Sequence, residues 1–429
     1  MLNTTASQVV NNSKFSRSFV RPRYDSYCFS NIPGTIEFLL TGKGQSALPL
    51  DVLGDLPTKY DKVVLFFIDA FGWRFFQRYA ERFSFLKMVL AQGVASKMTS
   101  QFPSTTAAHV TCIHTGLPVG QSGVYEWSYY EPLLDEIISP LLFSYAGDKT
   151  ARDTIKRSTS LPIEAFFPRQ TFYQTLQKQG IVSHVLQYRA YTPSTFSSVV
   201  YRGAQVHPYD TLQSAFTYLN ELLTTPGNTP AYYFLYFDRI DVACHHHGPY
   251  SRQLEETVEN CMTMIEQLFY KNVRGKIGNA LLMLTADHGQ IEVDPQLTWY
   301  LNKQAPGFTR YLQTNKKGAV LVPAGSPRDM FLHVKKEYID TAITELRQRL
   351  AGKAEVYRTQ ELIEQHFFGL QEPSAVFLNR VGNVVILPYR NETVWWYEDG
   401  KFDMHFLGHH GGLLPEEMEI PLLILPLSP

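Results

Sequence analysis

Five short segments bring metal-binding or nucleophilic side chains to the ends of apolar runs. In KVVLFFIDAFGW, Asp69 closes a hydrophobic stretch. An ionised carboxylate buried alone there is very costly, so it must be exposed at a strand tip or paired, with a helix N-cap as the plain alternative. In QFPSTTAAHVTCIHTGLPVGQSGV a turn leads into a helix opening near Thr106 and closing at Gly116 and Pro118. A hydroxyl there, from Ser104, Thr105 or Thr106, either caps the helix or acts as a nucleophile whose phosphate is held by backbone amides and the helix dipole.

The other three segments add ligands. AYYFLYFDRIDVACHHHGP places Asp241 and His245 four residues apart, on one face of a helix. His246 and His247 cannot join the same ion in that geometry and are expected in supporting or surface positions, and Asp238 ranks below Asp241. NALLMLTADHGQ presents Asp287 and His288 at a strand end, before a glycine expected to permit a sharp turn. FLGHHGGLLPEEMEIPLLIL sets His409 and His410 between glycines. Three aspartates and three histidines at such ends suffice for two mixed nitrogen and oxygen sites, each with room for a substrate oxygen.

Side chains so far apart in sequence need a framework that gathers strand ends. Continuous apolar runs at Lys62–Ile68, Val182–Gln187, Tyr232–Phe237, Ala280–Thr285, Val384–Leu387 and Pro421–Leu425 read as strands buried on both faces. Amphipathic stretches fill the gaps, the clearest being Leu254–Phe269, whose apolar stripe belongs to the core. The class expected is α/β, with a mainly parallel central sheet flanked by helices on both faces. Residues 1–60, interrupted by Pro22, Pro33, Pro49 and Pro57, are expected as an irregular arm. Residues 61–290 and 407–429 would form the catalytic core. The stretch 291–406, with a strand at Ala319–Val322, a charged helix at Lys335–Leu350 and a return strand, is too long for a loop and is expected as an inserted α+β cap.

Composition narrows the function. The 39 basic and 40 acidic residues leave a formal charge of -1, without the positive field of a nucleic-acid or anionic-membrane binder. No stretch reaches the length of a membrane span and no signal peptide is visible, so a cytoplasmic location is expected. The four cysteines lack a paired spacing and are expected as reduced thiols.

The order Asp, Thr before a T-G helix, D-x-x-x-H, D-H-G and G-x-H-G resembles the nucleotide pyrophosphatase/phosphodiesterase (type I phosphodiesterase) branch of the alkaline phosphatase superfamily, from about Lys62 to Leu425. The resemblance implies an alkaline phosphatase-like fold. It implies one metal held by Asp69, Asp287, His288 and the nucleophile oxygen, and a second held by Asp241, His245 and His410. In that superfamily the nucleophile stands ten positions before the glycine of T-G, which here is Thr106 before Gly116. His410 satisfies G-x-H-G between Gly408 and Gly411, with His409 as its alternative. The implied reaction is hydrolysis of a phosphodiester or pyrophosphate bond through phospho-threonine, with the Ala107 amide on a non-bridging oxygen. Zinc suits these ligands, and manganese or iron accepts them too.

One departure stands out. The branch usually carries an asparagine soon after the T-G helix, where this chain reads GVYEWSYYEP, with Glu126 or Trp127 in its place. Tyr125, Tyr129 and Arg189 are candidate replacement donors, and Phe71, Trp73 and Trp127 are candidate stacking partners for a nucleotide-like substrate. The alternatives are a phosphomonoesterase, which calls for extra positive charge from Arg152, Arg189 or Arg239, then a phosphomutase, then an inactive binding protein.

Overall fold

A computed structural model describes residues 1–148, 152–227 and 229–428. The strands of its two larger sheets are β1 (Leu2–Asn3), β2 (Lys62–Ile68), β3 (Val94–Thr99), β4 (Val182–Tyr188), β5 (Gln205–Tyr209), β6 (Ala231–Phe237), β7 (Ala280–Thr285), β8 (Met330–Leu332), β9 (Ala354–Arg358), β10 (Val384–Pro388) and β11 (Glu419–Pro426), and short two- and three-stranded ribbons complete the fold. Eight of them form one sheet in the order β1-β3-β11-β7-β2-β6-β4-β5. Only β11 runs antiparallel to its neighbours, β3 and β7. β2 sits near the middle, and Val63 through Ile68 are buried, as a strand covered on both faces requires.

This topology gathers the site. β2, β3, β6 and β7 run the same way, so the residues that follow them, from Asp69, Ser100, Asp238 and Ala286 onward, emerge at one edge of the sheet. The antiparallel β11 starts at that edge, which brings in the loop ahead of it with His409 and His410. The candidate ligands meet at the C-terminal ends of parallel strands, the usual location of sites in open α/β sheets.

Residues 1–60, expected as an irregular arm, contain edge strand β1, paired with β3, and helices α1 (Thr4–Asn11) and α2 (Ile32–Thr41). Pro33 does not interrupt α2. It lies in the first turn of α2, where a proline removes no needed hydrogen bond. Val384–Leu387, expected beside the other buried runs, belongs instead to a three-stranded antiparallel sheet, β8-β10-β9. Its alternation explains the continuous apolar signal, because Val385 and Leu387 join the main core while Val384 and Ile386 join a second cluster with Leu301, Phe308, Leu346 and Trp395. Ala319–Val322 is no strand and makes one isolated bridge, Thr314 with Val320. The charged helix is shorter than expected, Ile339–Arg349 after a single 3-10 turn.

Arg328 ties this insert to the catalytic edge. Fully buried, it donates from Nε and Nη2 to the two carboxylate oxygens of Glu417, both at 3.0 Å, and to the carbonyls of Pro388, Tyr389 and Glu392. Glu417 in turn accepts from the amides of Gly412 and Leu414, behind the histidine loop. Removing one partner of such a pair strands a buried charge. Arg328→Met is therefore expected to lower unfolding stability by about 3–5 kcal/mol, read from urea denaturation midpoints.

Candidate metal centre and catalytic cleft

Asp69 directly follows β2, and the next residue, Ala70, holds a left-handed backbone (φ 61°), uncommon for a residue with a side chain. The Ala70 amide donates to Asp287 Oδ1 at 3.1 Å. Gly72 and Gly289 then pack backbone to backbone, and a Cβ on Gly72 would stand 2.5 Å from the Gly289 Cα. Gly289 thus serves the close approach of two turns, and it does so without a positive φ.

Two groups result. In the first, the potential ligand atoms of Asp69, Asp287 and His288 lie within 4.8 Å of one another. Asp69 Oδ1 and Asp287 Oδ2 are buried with no hydrogen-bond partner among the described residues, and His288 Nε2 stands 3.5 and 3.4 Å from them. In the second, Asp241 Oδ1 lies 3.4 Å from His245 Nε2 and 3.8 Å from His410 Nε2. Asp241 and His245 share a face of α3 (Arg239–His247), as their spacing predicts. His288 and His410 stack with ring centroids 3.5 Å apart, so the two groups adjoin.

The three histidines are oriented alike. Nδ1 of His245 faces the Gly408 carbonyl at 2.8 Å, Nδ1 of His288 the Gly289 carbonyl at 3.0 Å, and Nδ1 of His410 the Ser104 carbonyl at 2.9 Å. Donation to these carbonyls leaves each Nε2 as a free lone pair directed at the carboxylates. His409 also meets a backbone carbonyl, that of His410, through Nδ1, and among the described residues it is His410, not His409, whose ring groups with Asp241 and His288. His246 and His247 are exposed, and Asp238 accepts from the Tyr191 hydroxyl outside both groups.

Electrostatics fit a cation. Burial, then Asp287 and Asp241, push the Asp69 carboxyl well above its usual range. Burial moves Asp287 up to about 7 and raises Asp241, while it drives the His288 and His410 imidazoles far down. Buried carboxylates with unpaired oxygens beside neutral imidazoles are the donor set a divalent ion satisfies.

Thr106 opens the helix Thr106–Thr115 beside the first group, with Oγ1 3.3 Å from His288 Nε2. The Ala107 amide lies in the first helical turn, where N–H groups lack intrahelical partners. Two cavities, about 460 and about 200 Å³, meet at Thr106, Trp127, Leu142 and Asp241. Trp127, 46% exposed, stands between them.

Several expected contacts lie elsewhere. Arg189 pairs with Asp210 on the surface and lines neither cavity, because its side chain turns along β5 instead of toward Thr106. Tyr125 and Tyr129 stack on each other in the core, and Phe71 and Trp73 are buried there as well. Of the three arginines considered, Arg152 alone borders the cleft. Glu126 does line the larger cavity. It is fully buried, accepts from the Trp127 amide, and burial moves its carboxyl up to about 7.

Sequence reasoning passed over three supporting groups. Gln290 donates to Asp241 Oδ1 at 2.5 Å, and the Tyr236 hydroxyl donates to Asp69. His109, wholly buried, faces the Thr105 carbonyl with Nδ1 at 2.7 Å and accepts from the Gln101 amide at 3.0 Å, fixing the turn before Thr106. Gln290 stands two residues after His288, in the D-H-G-Q stretch, and its position was the available signal.

Residues 63–413 match the family model described as type I phosphodiesterase / nucleotide pyrophosphatase. The chain belongs to that family. Type I phosphodiesterases are metal-dependent hydrolases of phosphodiester and pyrophosphate bonds, so this member is a hydrolase by family. No curated protein sequence matches it. Among solved structures, it resembles murine ectonucleotide pyrophosphatase/phosphodiesterase 5 in an inactive form in complex with AMP, at 18% identity and TM-score 0.60, covering 86% of this chain and 88% of that one. The human counterpart matches at 16% identity and TM-score 0.59, with the same coverage. At these identities the likeness is one of fold, the alkaline phosphatase-like α/β architecture.

Proposed function

We propose that this phosphodiesterase-family chain uses Thr106 as the nucleophile of a two-step hydrolysis of phosphodiester or pyrophosphate bonds in a small, nucleotide-like substrate. The observation that carries the reading is the position of Thr106 Oγ1 beside His288, whose ring groups with Asp69 and Asp287 and also with Asp241 and His410, at the junction of two cavities.

Asp69, Asp287, His288 and the Thr106 hydroxyl would hold one divalent ion, and Asp241, His245 and His410 a second, with zinc the natural occupant of mixed nitrogen and oxygen ligands. When bound, such ions supply Lewis acidity toward phosphate oxygens. The chain does the rest. Thr106 Oγ1 loses its proton and bonds to phosphorus as the bond to the leaving oxygen breaks, and that oxygen takes up a proton, giving phospho-threonine and the first product as an alcohol or phosphate. Water then displaces Thr106, restoring its hydroxyl and releasing the second product. The Ala107 amide, at the positive end of its helix, offers a hydrogen bond to a non-bridging oxygen in both steps. Gln290 and Tyr236 hold Asp241 and Asp69 in place.

Two arms meeting at the nucleophile favour a phosphate with a substituent on each side over a monoester. A terminal phosphate would also need concentrated positive charge, and near the junction stand Arg152 and the acidic Glu126. The test is a metal-reconstituted assay on a chromogenic phosphodiester and the matching monoester. We expect kcat/KM for the diester to exceed that for the monoester by about tenfold or more. A monoester preference would replace this reading with the phosphomonoesterase one.

A further inference from the structure

The smaller arm of the cleft has a lining of its own. Gln187, at the catalytic end of β4, is 6% exposed, and its Oε1 is buried with no hydrogen-bond partner among the described residues. A buried amide oxygen loses its water without compensation unless a donor meets it, so this arm asks for a ligand that donates hydrogen bonds. The rings of Tyr191, Phe196 and Tyr201 line the same arm, and the guanidinium of Arg152 lies 5.4 Å from the centre of the Tyr191 ring.

Charge and size narrow the ligand further. With Asp69 and Asp241 committed to the metal groups, the formal charges left in this arm among the described residues are Arg152 and Asp238, which balance. A second phosphate would meet Asp238, and an ammonium group would meet Arg152, so the lining favours neither ion. Aromatic faces beside an amide and a guanidinium suit a group with a C–H face and several hydroxyls. A volume of about 200 Å³ admits one small ring or short chain, against about 460 Å³ in the other arm.

We propose that the smaller arm is a subsite for a compact, uncharged, hydroxylated substituent on phosphorus, a polyol or single sugar ring, with Gln187 accepting from one of its hydroxyls. This rests on the reading that the phosphate is held at Thr106, and it assigns the larger arm to the bulkier substituent.

The experiment measures binding by calorimetry on zinc-loaded Thr106→Ala protein, comparing glyceryl phosphate with propyl phosphate, which has the same chain without hydroxyls. Glyceryl phosphate is expected to bind about tenfold more tightly. Gln187→Leu in the same background is expected to bring the two within about twofold while leaving propyl phosphate unchanged. Equal affinities before the substitution, or a Gln187→Leu that weakens both ligands alike, overturn the proposal. So does inorganic pyrophosphate binding more tightly than both and losing that advantage in Arg152→Ala, which would make the arm an anion site. If leucine prevents folding, Gln187→Met keeps the unbranched shape and is held to the same outcomes. Because the readout is binding, absence of hydrolysis by the wild type would sink the reaction proposed above and leave the subsite result standing.

Discussion

Replacing Thr106 by alanine is expected to lower kcat on a chromogenic phosphodiester by about 10⁴-fold or more, with metal content unchanged. The size follows from the proposed reaction, in which the hydroxyl forms the covalent intermediate and its loss would leave only direct attack by water. Metal retention follows from the geometry, since Asp69, Asp287 and His288 converge without Thr106. Thr105 is the natural control. It also lines the larger cavity, but it is 2% exposed and its carbonyl is held by His109. Thr105→Ala is expected to cost about tenfold or less, and Thr106→Ser to retain measurable turnover and a trappable phospho-enzyme. Single-turnover kinetics with metal analysis separates the cases. An inert Thr105→Ala beside an active Thr106→Ala would move the nucleophile by one residue.

How much of this was legible in the sequence follows from where the signal is local. Asp69, Asp287 and His288 each end or follow an uninterrupted apolar run, and a run of that kind has few ways to fold except as a central parallel strand. Their clustering then follows from topology. Asp241 and His245 were legible through helical spacing alone. The residues that failed depend on contacts spacing does not encode. Arg189 follows a buried strand as the successful residues do, but β4 is one from the edge of the sheet and Asp210 on β5's side captures its side chain. β10 produced the same apolar signal as the central strands because its faces are divided between two clusters. The same limit hid Gln187. It lies on a recognised strand, and only the cavity beside it shows that its amide has no partner.

Removing the metals is expected to make stability fall with rising pH in a way that depends on Asp287. In the metal-free protein a proton must neutralise this buried carboxyl, whose pKa burial raises from 3.8 to about 7. An acid raised in the folded state contributes stability at low pH that is lost as pH climbs from its unfolded value through its folded one, on the order of 4 kcal/mol for a shift of this size. His288 and His410 act oppositely. Their imidazoles are driven down by burial, so the stability they contribute is present above their ordinary pKa near 6.5 and is lost as pH falls below it. Total stability therefore mixes two trends, and a comparison with Asp287→Asn separates them. In chelator, the asparagine variant is expected to gain on the wild type by about 3 kcal/mol between pH 5 and pH 8, the gain levelling off above pH 7. Zinc should reverse the order, because the ion replaces the proton on Asp287 and asparagine is a poorer ligand. Urea denaturation of both proteins at pH 5, 6.5 and 8, with and without zinc, makes the measurement. A gap that ignores pH in chelator, or an order unchanged by zinc, would mean that Asp287 is neutralised by something other than a metal ion.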